Sequence, residues 1–260
     1  MTEQPGMVRE AFHTLWYDSE CWKQTTWFGV PIQKNPFDPL QYQEVLVEQP
    51  PDFVIECGAL HGGATLYFAN LLDLIGHGRV IFIDIYDNWH DAARRYPRVQ
   101  TVVGDSTSVE ILDILERLVP VSSTALVLLD SDRTEAHVLR QLRAFQRFVQ
   151  VGNYLVVEDT NINGHPVLGT VGPEPYEAVA EFLQETKDFV VDSSREEKLH
   201  FTFAPSGWLR RVSREGNDEY PRELVVRSRS MATRGWRALE SYRRVRAAIR
   251  GLYRTQRRGK

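Results

Sequence analysis

Six carboxylates recur in one setting along this chain: each stands at or just beyond the C-terminal end of a short apolar run. Glu56 follows Phe53-Val54-Ile55, and Asp84 lies in the run Val80–Ile85. Asp105 follows Val99–Val103 and Gly104, Asp130 follows Leu126–Leu129, and Glu158-Asp159 follow Tyr154–Val157. If these runs are parallel strands, their acidic ends share one edge of a sheet, the edge where open α/β sheets bind ligands. Carboxylates gathered there repel one another unless a cation or hydrogen-bond donors hold them. A single acidic residue at a strand end often caps the next helix; that explains one such residue and explains the set poorly. Asp130, Glu158 and Asp159 end the fourth and fifth runs. Three hard oxygen ligands at adjacent strand ends suit Mg²⁺ or a similar divalent ion. No His or Cys is grouped with them, which argues against zinc.

Glu56 also opens a glycine-bearing turn. Gly58 and the pair Gly62-Gly63 separate the strand from an apolar helical stretch, Ala64–Ile75. Strand, glycine turn and helix form the unit that lets a nucleotide-like ligand approach backbone N–H groups. The dinucleotide pattern GxGxxG is absent. A carboxylate at this strand end repels a pyrophosphate and suits a cationic amino group, such as that of S-adenosylmethionine. The site chemistry therefore points to a methyltransferase rather than a dehydrogenase. Asp84 is placed to accept hydrogen bonds from ribose hydroxyls, and Asp105-Ser106 to face an adenine ring. A divalent ion beside a sulfonium methyl donor would bind a substrate hydroxyl, lower its pKa and align it with the methyl group.

The elements that must position these residues alternate. Helical spacing over Ser108–Leu118, Thr134–Val149 and Tyr176–Thr186 separates the apolar runs, with Ser and Thr as N-caps before two of the helices. That alternation predicts a doubly wound, mostly parallel α/β sheet. Phe189–Val191 and Leu199–Phe203, split by a charged turn, predict a hairpin that adds an antiparallel edge strand.

Composition is that of a globular protein: 260 residues, 42% hydrophobic and 25% charged, enough for a sizeable core. No apolar run is long enough to span a membrane, and residues 1–10 lack the apolar stretch of a secretory signal. Cys21 and Cys57 are the two cysteines. A disulfide at Cys57 would obstruct the glycine turn, so both are expected to be reduced, in a cytoplasmic protein. The net charge of −4 conceals an asymmetry, because residues 206–260 carry 16 basic and 5 acidic residues.

With these motifs in hand, the chain resembles the cephalosporin hydroxylase family of S-adenosylmethionine enzymes, which is similar to rhamnosyl- and macrolide-O-methyltransferases. The resemblance runs over about residues 12–211. It is carried by Thr26–Asp38 (TWFGVPIQKNPFD), Tyr42–Glu44, Ile55–Gly63 (IECGALHGG), Leu128–Asp132 (LLDSD), Val156–Val167 (VVEDTNINGHPV), Ser194–Glu196 and Phe201–Arg211. It implies a class I methyltransferase (Rossmann-like) fold. The cofactor would contact Glu56, Gly58, Gly62 and Asp84, with Mg²⁺ on Asp130, Glu158 and Asp159 and Asp132 as a competing ligand. Members of this group often carry His three positions after the first metal Asp, where it resembles a general base. Here that position is Arg133, which stays protonated. A metal-bound hydroxyl could dispense with a protein base, His137, His165 or His61 could serve, or Arg133 could bind an anionic substrate in a protein of altered activity.

The expected organisation is an N-terminal helical and aromatic cap (1–50), a catalytic domain (51–212) and a basic extension (213–260). In the cap, Lys34 faces either the cofactor and substrate or solvent, and Trp16, Trp22, Trp27 and Phe28 serve packing or stack on an acceptor. In the extension, Trp236, Leu239, Tyr242, Val245, Ile249 and Leu252 recur at helical spacing among arginines. That stripe suits docking to protein, including a second copy, or an anionic membrane surface, with nucleic acid disfavoured by the acidic body. The expected activity is Mg²⁺-dependent O-methylation of a sugar or glycosylated natural product. The alternatives are a cephalosporin-hydroxylase-like tailoring enzyme and a cofactor-binding partner protein.

Overall fold

The structure is a computed structural model that describes residues 4–58 and 60–215. Its centre is a seven-stranded sheet. The five parallel strands are β3 (Phe53–Cys57), β4 (Arg79–Asp84), β5 (Val99–Val103), β6 (Ala125–Leu129) and β7 (Tyr154–Val157), and the antiparallel pair β8 (Phe189–Val191) and β9 (Trp208–Arg211) completes it. The order is β5-β4-β3-β6-β7-β9-β8. The chain enters the sheet at β3, winds outward to β5, then returns to β6 on the other side of β3. The order thus reverses between β3 and β6, the place where a doubly wound sheet opens a crevice at its strand ends. Glu56 pairs with Leu128 in register, so Glu56 and Asp130 lie on either side of that crevice.

β3, β6 and β7 read as continuous apolar runs because helices cover both faces. One face packs Ile55, Ile81, Val127, Leu129 and Leu155 against α5 (Val109–Leu118), α6 (Glu135–Phe145) and α7 (Pro175–Glu185). The other packs Val54, Val80, Leu126 and Val156 against α2 (Phe37–Glu48) and α3 (Gly63–Ile75). Ser108 caps α5 through Ile111 N–H at 3.3 Å. Thr134 makes no such bond on α6; the Asp132 carboxylate instead accepts the Thr134 N–H at 2.9 Å.

One strand differs from the sequence reading. Leu199–Phe203 forms no strand, and the antiparallel partner of β8 is β9, inserted between β8 and β7. Phe201 and Phe203 are buried elsewhere, in an aromatic cluster with Tyr17 beneath α1 (Gln4–Asp18). Their alternation reflects packing against that helix. The expected helix of Thr134–Val149 is α6 followed by a short 3₁₀ turn over Gln146–Phe148. The C-terminal amphipathic stripe lies outside the described residues. Among the described residues no helix is long and apolar enough to cross a membrane.

Candidate active site

The N-terminal segment builds half of the site. β1 (Thr26–Trp27) and β2 (Val30–Pro31) form a hairpin whose turn residues Phe28 and Gly29 both have positive φ (46° and 82°). That pairing matches the right-handed twist of the flanking strands. Trp27 anchors the hairpin on α3: its indole N–H donates to Asn70 Oδ1 at 2.8 Å and its ring meets Tyr67 edge-on. Gly63 permits this close docking, because a Cβ there would lie 2.2 Å from the Pro31 carbonyl oxygen. Beyond the hairpin, Thr25 Oγ1 donates to the Lys34 carbonyl at 3.1 Å. The Asn35 side-chain oxygen accepts from the N–H groups of Phe37 and Asp38 and starts α2.

This scaffold drives Lys34 into the crevice. Its Nζ donates to Asp130 Oδ2 at 3.0 Å and to Glu158 Oε2 at 2.5 Å, and the residue is only 5% exposed. Burial opposes the ammonium charge, yet Asp130, Glu158 and Glu56 together outweigh it and raise the lysine pKa above its ordinary value. The other Glu158 oxygen accepts from the Tyr42 hydroxyl at 2.8 Å. Asp159 sits in the left-handed region (φ 57°) and pairs with Arg133 at 3.2 Å. The three carboxylates proposed for a metal are each paired with a protein cation, and no group of three or more His, Cys, Asp or Glu side chains placed to hold a metal ion is found among the described residues. The donor chemistry suits a hard divalent ion, but an ion does not fit between Asp130 and Glu158 while Lys34 Nζ is there.

Glu56 is a different case. One oxygen accepts from Thr65 Oγ1 at 2.6 Å; the other is buried without a hydrogen-bond partner among the described residues. Burial pushes its pKa up to about 7, with Lys34 and the Thr65 hydrogen bond pulling it down. An orphaned buried carboxylate oxygen at a crevice is a vacancy for a donor, and a ligand amino group would fill it. Gly58 and Gly62 both have positive φ (84° and 83°). A Cβ at Gly58 would meet the Asp130 carbonyl oxygen at 2.2 Å, and one at Gly62 would meet the Ala93 methyl at 2.7 Å. Both glycines are thus required by protein neighbours already. Asp84 Oδ1 accepts the Tyr86 N–H at 3.0 Å and burial raises its pKa.

Residues 19–212 match the family described as Rhamnosyl O-methyltransferase/CmcI. The chain belongs to this family. A rhamnosyl O-methyltransferase of Mycobacterium leprae is 38% identical over 205 residues, covering 78% of this chain and 90% of that protein. Its Mycobacterium tuberculosis H37Rv counterpart is 40% identical over 209 residues, covering 78% and 84%. Among solved structures, CmcI with Mg and S-adenosylmethionine superposes with a TM-score of 0.58 at 20% identity, over 74% of this chain and 78% of CmcI. The fold is that of class I methyltransferases, and the chain is an O-methyltransferase of this family.

In this member of the Rhamnosyl O-methyltransferase/CmcI family the remaining sequence-derived candidates are dispersed. His137 lies on α6, with its ring nitrogens 3.3 Å from Ser131 Oγ and 3.5 Å from the Arg140 guanidinium; burial lowers its pKa. His165 stacks on Tyr176 (centroids 3.7 Å apart) and its Nε2 lies 3.0 Å from Glu177 Oε1. His61 accepts the His90 N–H through its carbonyl. Asp105 accepts from the backbone and hydroxyl of Thr107, and Ser106 Oγ accepts from Gln141, so both side chains are engaged within the protein. Thr65 emerges from the structure as a site residue absent from the sequence reading, and Tyr42, there only part of the resemblance, gains a site role. The spacing Asp38, Gln41, Tyr42, Val45 was the available signal: it places Tyr42 on the buried face of α2.

Proposed function

We propose that this protein transfers the methyl group of S-adenosylmethionine to a hydroxyl of a deoxysugar or a glycosylated natural product. The observation that carries the cofactor part is the unpartnered, buried Glu56 oxygen at the β3–β6 crevice. The cofactor's α-amino group would donate to that oxygen, and Asp84 would accept from its ribose hydroxyls. The hydroxyl oxygen would bond to the methyl carbon as the methyl–sulfur bond breaks, releasing S-adenosylhomocysteine and one proton. The sugar acceptor is supported by the mycobacterial relatives, named rhamnosyl O-methyltransferases and matched over 84–90% of their length. Magnesium dependence is supported by the donor chemistry of Asp130, Glu158 and Asp159 and by the CmcI structure with Mg and S-adenosylmethionine. No step is assigned to an ion, because Lys34 holds the position it would take.

The test is transfer of isotopically labelled methyl from S-adenosylmethionine to simple rhamnosides, with a β-lactam as the competing acceptor. Methylated rhamnoside as the product supports the reading. Transfer to the β-lactam alone would replace the sugar acceptor with an antibiotic-tailoring one.

A further inference from the structure

We propose that Lys34 and a divalent cation are alternative occupants of one position between Asp130 and Glu158, so that this lysine sets the metal affinity of the site. The inference rests on the reading of the strand-end carboxylates as a cation site. An ammonium is a compact point charge with three donors. Here two of them lie 3.0 and 2.5 Å from oxygens of two different carboxylates, as a bridging cation would. A divalent ion bound by the same oxygens sits at about 2.0–2.6 Å from each. Both cannot occupy one buried gap: their volumes overlap, and three positive charges would meet at a few ångströms in a poorly screened interior.

The surroundings hold the lysine firmly. The Lys34 side chain enters beneath the hairpin docked on α3 through Trp27 and Gly63, and its main chain is tied to Thr25. Tyr42 donates to the other oxygen of Glu158, so each oxygen of that carboxylate already accepts a hydrogen bond. Arg133 pairs with one oxygen of Asp159 at 3.2 Å. Three carboxylates thus face two resident protein cations, which offset the attraction the site would hold for an ion. For an ion to enter, Lys34 must leave both carboxylates, breaking two charge-assisted hydrogen bonds. The ammonium must then reach solvent or another acceptor. The metal-free arrangement is therefore one in which each of the three carboxylates is already paired with a protein cation.

Titration of Mn²⁺ into the full-length protein, by calorimetry and by the electron paramagnetic resonance of free Mn²⁺, compares the natural protein with Lys34→Met. The variant should bind Mn²⁺ at least about tenfold more tightly, within the range by which residues around a metal site alter affinity. The double variant Lys34→Met, Asp130→Asn should lose that gain. Equal or weaker binding by a folded Lys34→Met protein overturns the proposal. Because the methionine leaves carboxylates unpaired, a second measurement uses the natural protein alone. Amine acylation of Lys34, followed by mass spectrometry, should rise on saturation with Mn²⁺ as the side chain is expelled. Mn²⁺ binding without that rise also overturns the proposal. S-adenosylhomocysteine titrated in parallel separates the two readings: its failure to bind removes the methyltransferase site, while the Mn²⁺ comparison still decides the fate of the lysine.

Discussion

Glu56 is the residue on which cofactor capture turns. It is buried, one oxygen is satisfied by Thr65, and burial holds its pKa near 7. An amino group needs the carboxylate form. Below pH 7 the free protein must therefore release a proton on binding, so affinity should weaken as pH falls through 7 and level off above it. S-adenosylhomocysteine titrations at pH 6 and pH 8 should show tighter binding at pH 8. Glu56→Gln should bind about tenfold or more weakly at pH 8, the scale of a hydrogen bond to a charged group, and should lose the pH dependence. A pH dependence that survives in the glutamine variant would assign the titration to another group. At this scale the sequence was informative about type and poor about partnership. The carboxylates at strand ends were visible as single letters after apolar runs. That Lys34 reaches two of them was not, since its sequence separations of 96 and 124 residues leave no local pattern.

At the scale of the element, the glycine turn does two jobs. Positive φ at Gly58 ends β3, and the missing Cβ lets Asp130 pack directly on it. Gly58→Ala should therefore cost the left-handed strain, about 1–2 kcal/mol, plus overpacking of about 1–3 kcal/mol against backbone that cannot rotate away. Gly76→Ala is the internal comparison. It has the same conformation at the C-cap of α3 (φ 79°) but nothing within 4 Å of the added Cβ, so only the strain of about 1–2 kcal/mol applies. Denaturant unfolding should rank Gly58→Ala as the more destabilised of the two; the reverse order would mean that the β3–β6 junction relaxes freely. The glycine pattern announced a strand–turn–helix junction for a ligand's sake, and the structure shows that close protein neighbours demand glycine at the same positions. The missed strand has a similar cause. Leu199–Phe203 alternates like an edge strand, but its aromatic rings are consumed by α1, whose contribution no local window reveals.

At the scale of the whole molecule, a doubly wound sheet opens a crevice between β3 and β6, and an N-terminal segment delivers Lys34 into it. The sheet was legible because parallel strands buried on both faces are largely apolar and alternate with helices. The N-terminal closure was not legible, because it depends on one hairpin fitting a glycine on a distant helix. The most direct test is calorimetric titration of S-adenosylmethionine and S-adenosylhomocysteine into the purified protein, once with Mg²⁺ and once with EDTA. The account predicts saturable binding in both conditions, because Glu56 and Asp84 are formed without an ion and Lys34 keeps the neighbouring carboxylates compensated. Absence of binding by either compound in both conditions would contradict it.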